Sequence, residues 1–286
     1  EYCNSFLSFF PTVAVILNIE ADHLDFFHDL EDVEHSFRTF ADLVPEGGMI
    51  VANRDDANTM HTLEGEQRPV LTFGLEEGDV HAANLTWEKG LPSFDVICRE
   101  HTFAHISLRV PGLHNVKNAL AAAAAAVVPA RAVEEGLGAF RGAGRRFEHK
   151  GSYHGAEVYD DYAHHPGELR ALLDTARSLG YERVICAFQP HTYSRTNAFL
   201  KDFAKALTLA DKVILADIYA AREKNTIGIT SKDLQAEIEK LGKECYYFHS
   251  FDEIENFLLE NCINGDLLIT MGAGDVVKIG ENLLGI

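Results

Sequence analysis

The sequence predicts an α/β protein with a parallel, doubly wound sheet in its second half. One observation is a nearly continuous apolar run at residues 12–19, rich in β-branched side chains, which is typical of a strand covered on both faces. The other is the regular alternation of apolar strands with segments of helical periodicity after residue 144. With 286 residues, of which 47% are hydrophobic, the chain can bury two cores, and we expect two domains.

The first half begins with a βαβ pattern. After the strand at residues 12–19, apolar residues recur at helical spacing until Pro45 and the glycines at 47–48 end the helix, and a strand resumes at residues 49–52. Short alternating runs between residues 69 and 110, broken by Gly and Pro, predict hairpins at one edge of the sheet.

Two helices are expected to complete this half. The alanine-rich segment from Asn115 through Val128 combines high helix propensity with side chains small enough for close packing. A second helix is expected over about residues 132–140, and a glycine-containing segment at residues 142–144 follows it. Because composition and rhythm change there, we place the domain boundary after residue 143.

Beyond this boundary, strands and helices alternate. We expect strands near residues 156–159, 183–188, 212–216, 245–248 and 266–270, and helices near residues 166–179, 196–209, 231–241, 251–260 and 275–284. Strand, helix and strand repeated in this way predict a parallel sheet. Ligands of such sheets lie at the carboxyl ends of the strands.

Charge and cysteine content exclude several classes of protein. The formal net charge of −19 repels phosphate backbones and anionic lipid, so we expect no nucleic acid and no membrane as a partner. The five cysteines include no CxxC pair and predict neither a zinc framework nor a disulfide scaffold. No apolar stretch reaches the length of a membrane span and no signal peptide is found, so a cytoplasmic location is expected. The sequence opens at Glu1 without methionine, which suggests a part of a larger protein.

Two segments of the first half carry residues suited to phosphate chemistry. Residues 18–25 bring His23 among carboxylates at a strand end, where a magnesium ion could bridge a substrate phosphate; a solvated acidic loop that caps the next helix is the alternative. Residues 110–118 lead into the alanine-rich helix, whose free backbone donors attract anions and whose Asn118 amide could meet a purine. Simple capping by Asn115 explains the same segment.

Arginines and histidines accumulate in three later segments. Residues 141–148 hold three arginines, which suit bidentate phosphate binding or, equally, salt bridges between domains. Residues 158–166 and 188–195 end neighbouring strands and carry histidines and an arginine toward one crevice. Zinc would need a third ligand at characteristic spacing, and none accompanies the histidine pair. Residues 271–275 (MGAGD) form a weak dinucleotide-type match that fits a tight glycine turn better.

Seven segments, taken in order along the chain, resemble the Mur ligase family: SFL, NIEADHLD, PGLHNVKNALAA, GRRFE, DDYAHHP, FQPHTYSRT and MGAGD. The resemblance extends over the whole chain. It implies the remainder of a central P-loop-type ATPase domain at residues 1–143 and a Rossmann-like, doubly wound C-terminal domain that binds the amino acid at residues 144–286. No GxxxxGK[ST] motif is present, so the P-loop and the UDP-binding domain would belong to a missing N-terminal portion of the same protein.

The resemblance also implies a reaction and its ligands. The expected activity is an ATP-dependent ligase, with Mg²⁺, that joins L-alanine to UDP-N-acetylmuramate through an acyl phosphate in peptidoglycan synthesis. Three residues would be catalytic: His23, His164 and Arg195. The implied metal ligands are His23 and Glu1; the implied nucleotide-binding residues are His114, Asn115, Asn118, Arg145, Arg146 and Asp161; the implied substrate-binding residues are His164, His191 and Arg195.

Three alternatives stay open at this stage. A related ligase would add a preformed peptide to UDP-N-acetylmuramate, because family members share most of these motifs. A metal-dependent phosphoesterase could use the Asp and His clusters, and a binding module could keep the ligase fold without its activity. We expect the 286-residue chain to be inactive by itself, because it contains no P-loop of its own.

Overall fold

The computed structural model describes residues 2–24, 26–126 and 128–286. It divides into two compact units, unit 1 at residues 1–141 and unit 2 at residues 142–286, and each unit contains one six-stranded sheet. Helices cover these mostly parallel sheets, and the α/β class expected from the sequence is confirmed.

Unit 1 begins with short 3-10 turns over Tyr2–Ser8. Its strands are β1 (Val13–Ile16), β2 (Met49–Asn53), β3 (Val70–Gly74), β4 (Val80–Glu88), β5 (Leu91–Cys98) and β6 (His101–Ser107), and its helices are α1 (Leu30–Asp42), α2 (Ala57–Thr62), α3 (Leu113–Ala125) and α4 (Ala130–Ala139). The strands follow one another in the sheet in chain order. Strands β1 to β4 pair in parallel, whereas β4–β5 and β5–β6 are antiparallel hairpins. The expected βαβ unit and hairpins are therefore confirmed.

One expectation for the first strand is wrong. The sequence predicted a strand covered on both faces, but only Ala14 and Ile16 pack beneath α1, and Val15 on the opposite face is 38% exposed. Helix α3, which covers that opposite face, lies mainly over β2 to β5. Hydrophobicity alone indicates that a strand can be buried but not which neighbour covers it.

Unit 2 has the expected doubly wound arrangement. Its strands are β7 (Glu148–Tyr153), β8 (Ala156–Asp161), β9 (Arg183–Phe188), β10 (Lys212–Leu215), β11 (Cys245–Tyr247) and β12 (Asp266–Met271), and its helices are α5 (Pro166–Ser178), α6 (Tyr193–Ala198), α7 (Leu200–Leu207), α8 (Ser231–Lys240), α9 (Phe251–Asn261) and α10 (Val277–Leu284). The strand order is β11-β10-β9-β12-β8-β7. All pairs are parallel except β7–β8. The strand order reverses direction around β9 and β12, where ligand crevices form in such sheets.

The two faces of this sheet pack into two separate hydrophobic cores. Side chains of the central strands alternate between two cores, one containing Cys186 and Phe188 beneath α5 and α7 and the other containing Ile185 and Ala187 beneath α9 and α10. Every residue of β12 is buried. Close packing on both faces makes the sheet rigid, and the loops at its strand ends are therefore held in fixed positions.

An ion pair with a buried carboxylate and a partly exposed guanidinium joins β9 to β12 at the amino ends of these strands. The Arg183 guanidinium donates to both oxygens of Asp266, at 2.8 and 2.6 Å, and the Asp266 side chain is 0% exposed. We expect Asp266→Asn to lower the free energy of unfolding by about 2 kcal/mol, because it removes a bidentate charged hydrogen bond inside the fold. Urea unfolding measures this.

The matched control for that measurement is the exposed pair on α4. The side chains of Arg131 and Glu135 are 86% and 65% exposed, so Glu135→Gln should change stability by no more than about 0.5 kcal/mol. Equal effects of the Asp266 and Glu135 substitutions would contradict the stabilising role of the buried pair.

All five cysteines are free thiols. Cys186, Cys245 and Cys262 are buried, and burial raises the pKa of each thiol, for Cys245 to about 12 and for Cys262 to about 11. Cys3 is exposed, and Cys98 is partly exposed. In the part of the chain that the structure describes, no helix has the length and apolar character needed to cross a bilayer.

Candidate functional site

Motif segments of unit 2 meet at the carboxyl ends of its strands. The backbone N–H of Gly272, after β12, donates to the carbonyl of Asp161 at the end of β8 (3.0 Å), and the N–H of Gln189, after β9, donates to the carbonyl of Met271 (2.9 Å). The backbone N–H of Thr192, just before α6, donates to the carbonyl of Tyr219. Because these strands are parallel, their ends bring segments that are far apart in sequence to one edge.

Asp161 joins two of these segments through its carboxylate. One oxygen accepts the N–H of Phe147 at 2.6 Å, and the other accepts the N–H of Ala163 at 2.7 Å. Burial raises the pKa of this carboxyl to about 6, in spite of both hydrogen bonds and the nearby charge of Arg146. The carboxylate therefore positions backbone, and its role in binding a nucleotide stays a prediction.

The pKa of Asp161 predicts a particular dependence of stability on pH. The folded pKa of about 6 lies above the usual value of 3.8, so between these values the folded chain keeps a proton that the unfolded chain releases. Stability from this group is present below about pH 4, falls as pH rises to about 6 and is level above it, with a total change of about 2–3 kcal/mol. Urea unfolding from pH 4.5 to 7.5 should show this decline relative to Asp161→Asn. A parallel pH profile for the variant would contradict the raised pKa.

Arg145 stabilises the glycine turn after β12 by hydrogen bonds to its backbone. Its guanidinium donates to Asp160 (Nε to Oδ2, 2.7 Å), to the carbonyl of Gly272 (2.7 Å) and to the carbonyl of Gly274 (3.1 Å). Arg146, by contrast, pairs with the solvent-facing Glu168 at 3.6 Å, and its side chain is 56% exposed. Of the two arginines that the sequence suggested for phosphate binding, Arg146 has the more accessible charged group.

Gln189 and Tyr219 pack so closely against that turn that two of its positions need glycine. Gly272 has φ of +146°, and a Cβ there would lie 2.7 Å from the carbonyl oxygen of Gln189. A Cβ on Gly274 would overlap Oε1 of Gln189 and contact the ring of Tyr219. The tight turn suggested by the MGAGD segment is therefore what the structure contains. Oε1 of Gln189 is buried and has no hydrogen-bond partner among the described residues.

Three predicted site residues of unit 2 come together. The rings of His164 and His191 meet edge to face with centroids 5.7 Å apart, and Arg195 Nη1 lies 3.3 Å from His191 Nδ1. The ring of His191 also stacks on that of Tyr219, with centroids 5.7 Å apart. A guanidinium beside two imidazoles can bind carboxylate or phosphate oxygens.

Sequence reasoning missed Glu223, a residue that fixes the start of α6, the helix that carries Arg195. Glu223 accepts from the backbone N–H of Ser194 (2.9 Å) and from its hydroxyl (2.5 Å). Burial by itself would raise the pKa of Glu223, but these hydrogen bonds lower it below its usual value. Glu223 lies 29 residues beyond Ser194 in a loop without a recognisable pattern, so no local signal could have identified it.

In unit 1, three polar contacts hold the segment after β1. Asn53 and Asn58 donate to the carbonyls of residues 17 and 19 at 2.8 and 2.7 Å, and the Ile19 N–H donates to Asp56 at 3.1 Å. Asp56 also caps α2. The segment leading to His23 is therefore fixed by the end of β2 and the start of α2.

His23 itself has a left-handed backbone, with φ of +53°. Its N–H donates to Asp22 at 2.7 Å, and Nε2 lies 3.9 Å from the same carboxylate. Residues with side chains rarely adopt this conformation, and such strain is concentrated at functional sites. Glu1 and Asp25 lie outside the described residues, and among the described ones no three His, Cys, Asp or Glu side chains converge on a metal position.

The candidate adenine-site residues lie at the start of α3, but one expectation about them is wrong. Gly112, not Asn115, is the N-cap, and the Asn115 amide instead donates back to the Pro111 carbonyl at 2.7 Å. The helix begins earlier than expected because the positive φ of Gly112 already turns the chain into it. Asn118 lies four residues after His114 and three after Asn115, so its side chain is next to both of theirs on the helix surface.

Two family models match the chain in succession. The Mur ligase middle domain matches residues 4–126, and the Mur ligase glutamate ligase domain matches residues 145–274. The chain belongs to the Mur ligase family.

Its similarity to one branch of this family is high. It is 49% identical to the UDP-N-acetylmuramate–L-alanine ligase of Lachnospira eligens over 290 residues, which cover 99% of this chain and 63% of that protein. It is 47% identical to the ligase of the same name from Caldanaerobacter subterraneus, with the same coverage. The crystal structure of UDP-N-acetylmuramate–alanine ligase from Thermotoga maritima matches with a TM-score of 0.76 and 27% identity, over 99% of this chain and 61% of that one. The chain thus spans about three fifths of these relatives.

Proposed function

We propose that this chain supplies the middle and C-terminal domains of an ATP-dependent ligase that joins L-alanine to UDP-N-acetylmuramate in the cytoplasm. The observation that carries the proposal is the group formed by His164, His191 and Arg195 at the strand ends of unit 2, in a chain 49% identical to ligases of that name. A positively charged group of this kind suits a reaction in which carboxylate and phosphate oxygens gather negative charge.

The proposed reaction has two steps. The muramoyl carboxylate attacks the γ-phosphorus of ATP, which gives an acyl phosphate and ADP. The alanine amine then attacks the acyl carbon, and the tetrahedral intermediate expels phosphate as the amide forms. Both steps place negative charge on oxygens, so Arg195 would stabilise each of them, while the neighbouring imidazoles orient its guanidinium.

The nucleotide and the cation are assigned to particular residues within this proposal. His114, Asn115 and Asn118 would contact the adenine, and Arg146 would reach the ribose or the phosphates in place of Arg145. The imidazole of His23 beside the Asp22 carboxylate is a donor set that fits a magnesium ion whose other ligands are phosphate and water oxygens. Bound there, Mg²⁺ would neutralise phosphate charge.

Turnover of a complete ligase tests the proposal. The 286-residue chain would be joined to the N-terminal portion of the Lachnospira eligens ligase, and ADP release would be followed with UDP-N-acetylmuramate and L-alanine. We expect turnover from the joined protein and none from the chain alone. Phosphate release from a simple ester without ATP would favour a phosphoesterase instead, and faster turnover with a preformed peptide than with L-alanine would indicate the related peptide-adding ligase.

Arg195→Ala in the joined protein provides the residue-level test. We expect kcat/KM to fall about 30-fold, because a hydrogen bond to a charged group is worth about 1.5–3 kcal/mol. Arg131→Ala, on the exposed pair of α4, is the matched control and should leave kcat/KM unchanged. If both variants keep the parent kcat/KM, Arg195 has no role in the reaction.

A further inference from the structure

The outer face of the β5–β6 hairpin carries a polar cluster that the proposed ligase reaction does not use. Strand residues alternate between faces, so Phe94, Val96 and Ile106 fill the core at 0% exposure, while their neighbours point outward. Ser93 is paired across the strands with Ser107, and Asp95 is paired with His105. The register therefore places a serine, a carboxylate and an imidazole side by side on the surface.

Hydrogen-bond contacts link the serine to the imidazole and the imidazole to the carboxylate. Ser93 Oγ lies 3.0 Å from His105 Nε2, and His105 Nδ1 lies 2.7 Å from Asp95 Oδ1. Asn84 on β4 donates to the other oxygen of Asp95 at 2.8 Å. The hydrogen bonds from Asn84 and His105 lower the pKa of the Asp95 carboxyl, so this group stays ionised at neutral pH. A nucleophile, a base and a group that orients the base are all within hydrogen-bond reach of one another.

We propose that Ser93, His105 and Asp95 form an activated-serine site that takes acyl groups from small activated esters. Ser93 Oγ attacks the ester carbonyl while His105 Nε2 takes the hydroxyl proton, and Asp95 stabilises the resulting imidazolium. The tetrahedral intermediate expels the alcohol, which takes that proton, and leaves an ester on Ser93. Water activated by His105 then releases the carboxylic acid, and Ser93 regains its proton.

The surroundings define the class of substrate. The His105 side chain is 61% exposed and that of Asp95 is 23% exposed, so the cluster lies on an open surface and holds a substrate only weakly. Ser107 Oγ, 2.8 Å from Ser93 Oγ, is a neutral hydroxyl that can donate to an oxyanion formed there. One neutral donor gives limited stabilisation, which restricts the site to esters with good leaving groups and excludes amides.

Unit 2 offers an internal control with the same functional groups in a different order. On β7–β8, the Ser152 hydroxyl donates to Glu157 Oε1 at 2.6 Å, and His149 Nε2 lies 2.5 Å from Glu157 Oε2. Here the carboxylate separates the serine from the imidazole. The pKa of the Glu157 carboxyl is lowered, first by the hydrogen bond from Ser152, so this carboxylate is a poor base for the serine hydroxyl. Ser152 should remain unacylated under conditions that acylate Ser93.

The test is brief exposure of the folded chain to p-nitrophenyl acetate, followed by peptide mass spectrometry and by measurement of nitrophenol release. We expect acetylation of Ser93 at least tenfold above that of Ser152, with acetylation of Ser93 reduced at least tenfold by His105→Gln. Ser93→Ala should remove the corresponding part of nitrophenol release, whereas Ser152→Ala should not change it. Equal labelling of the two serines, or labelling of Ser93 that survives His105→Gln, would overturn the proposal and leave the cluster as a cross-strand polar network.

Discussion

Replacing Arg145 by alanine should lower the free energy of unfolding by about 3–5 kcal/mol, the largest stability effect that we expect in unit 2. The Asp160 side chain is 0% exposed, and among the described residues the hydroxyl of Thr270, at 2.7 Å, would be its remaining side-chain donor. Leaving one member of a buried ion pair alone costs this much in other proteins. The carbonyls of Gly272 and Gly274 would also lose their donors.

The neighbouring arginine is the matched control. Arg146→Ala removes a side chain that is 56% exposed and weakly paired, so it should change stability by about 0.5 kcal/mol or less. Adding Asp160→Asn to Arg145→Ala should recover at least half of the loss, because the stranded charge is then absent. Urea unfolding followed by circular dichroism measures all three variants. A loss below about 1 kcal/mol for Arg145→Ala would show that the buried pair is not needed.

Replacing His23 by alanine in the joined ligase should lower kcat roughly 1,000-fold, the largest effect on activity that we expect. A cation ligand stabilises phosphate charge by several kcal/mol, and about 4 kcal/mol corresponds to this factor. The Mg²⁺ concentration needed for half-maximal rate should rise at the same time. Stability should change little, because alanine at φ of +53° carries much the same backbone strain as histidine.

His28 serves as the control for this experiment, since it lies in the same segment and its side chain is 90% exposed. His28→Ala should keep the parent rate and the parent dependence on Mg²⁺. His23→Gly is informative as well: it should be as slow as His23→Ala yet no less stable, because glycine adopts the left-handed conformation freely. If His23→Ala keeps a third of the parent rate, the imidazole does not hold the cation.

Much of the fold could be predicted because it depends on local patterns. Continuous apolar runs located β8, β9, β10, β11 and β12 in unit 2, each within a few residues of the strand observed. Strand β7 was missed because its sequence, EHKGSY, is polar, as the outermost strand of a sheet can be. The single helix expected near residues 196–209 is two helices that meet at Phe199, where ψ departs from helical values.

The candidate site was less predictable because its contacts are long-range. Spacing alone suggested His164, His191 and Arg195, and the structure brings them together. The expectation that they follow neighbouring strands is wrong, because β12 lies between β8 and β9 in the sheet. It could not show that Arg145 reaches a turn 127 to 129 residues away. A side chain suited to phosphate has the same sequence signature whether it binds a ligand or a carbonyl oxygen; only the three-dimensional arrangement separates the two.

The distribution of thiols in the fold has a practical consequence for spectroscopy. Reagents such as maleimides react with the thiolate, and the thiols of Cys186, Cys245 and Cys262 are both buried and held protonated. Cys3 is open to solvent, and Cys98 is partly so. With Cys98 replaced by serine, a fluorophore would attach to the native chain at one known position, within the short 3-10 turns that precede β1.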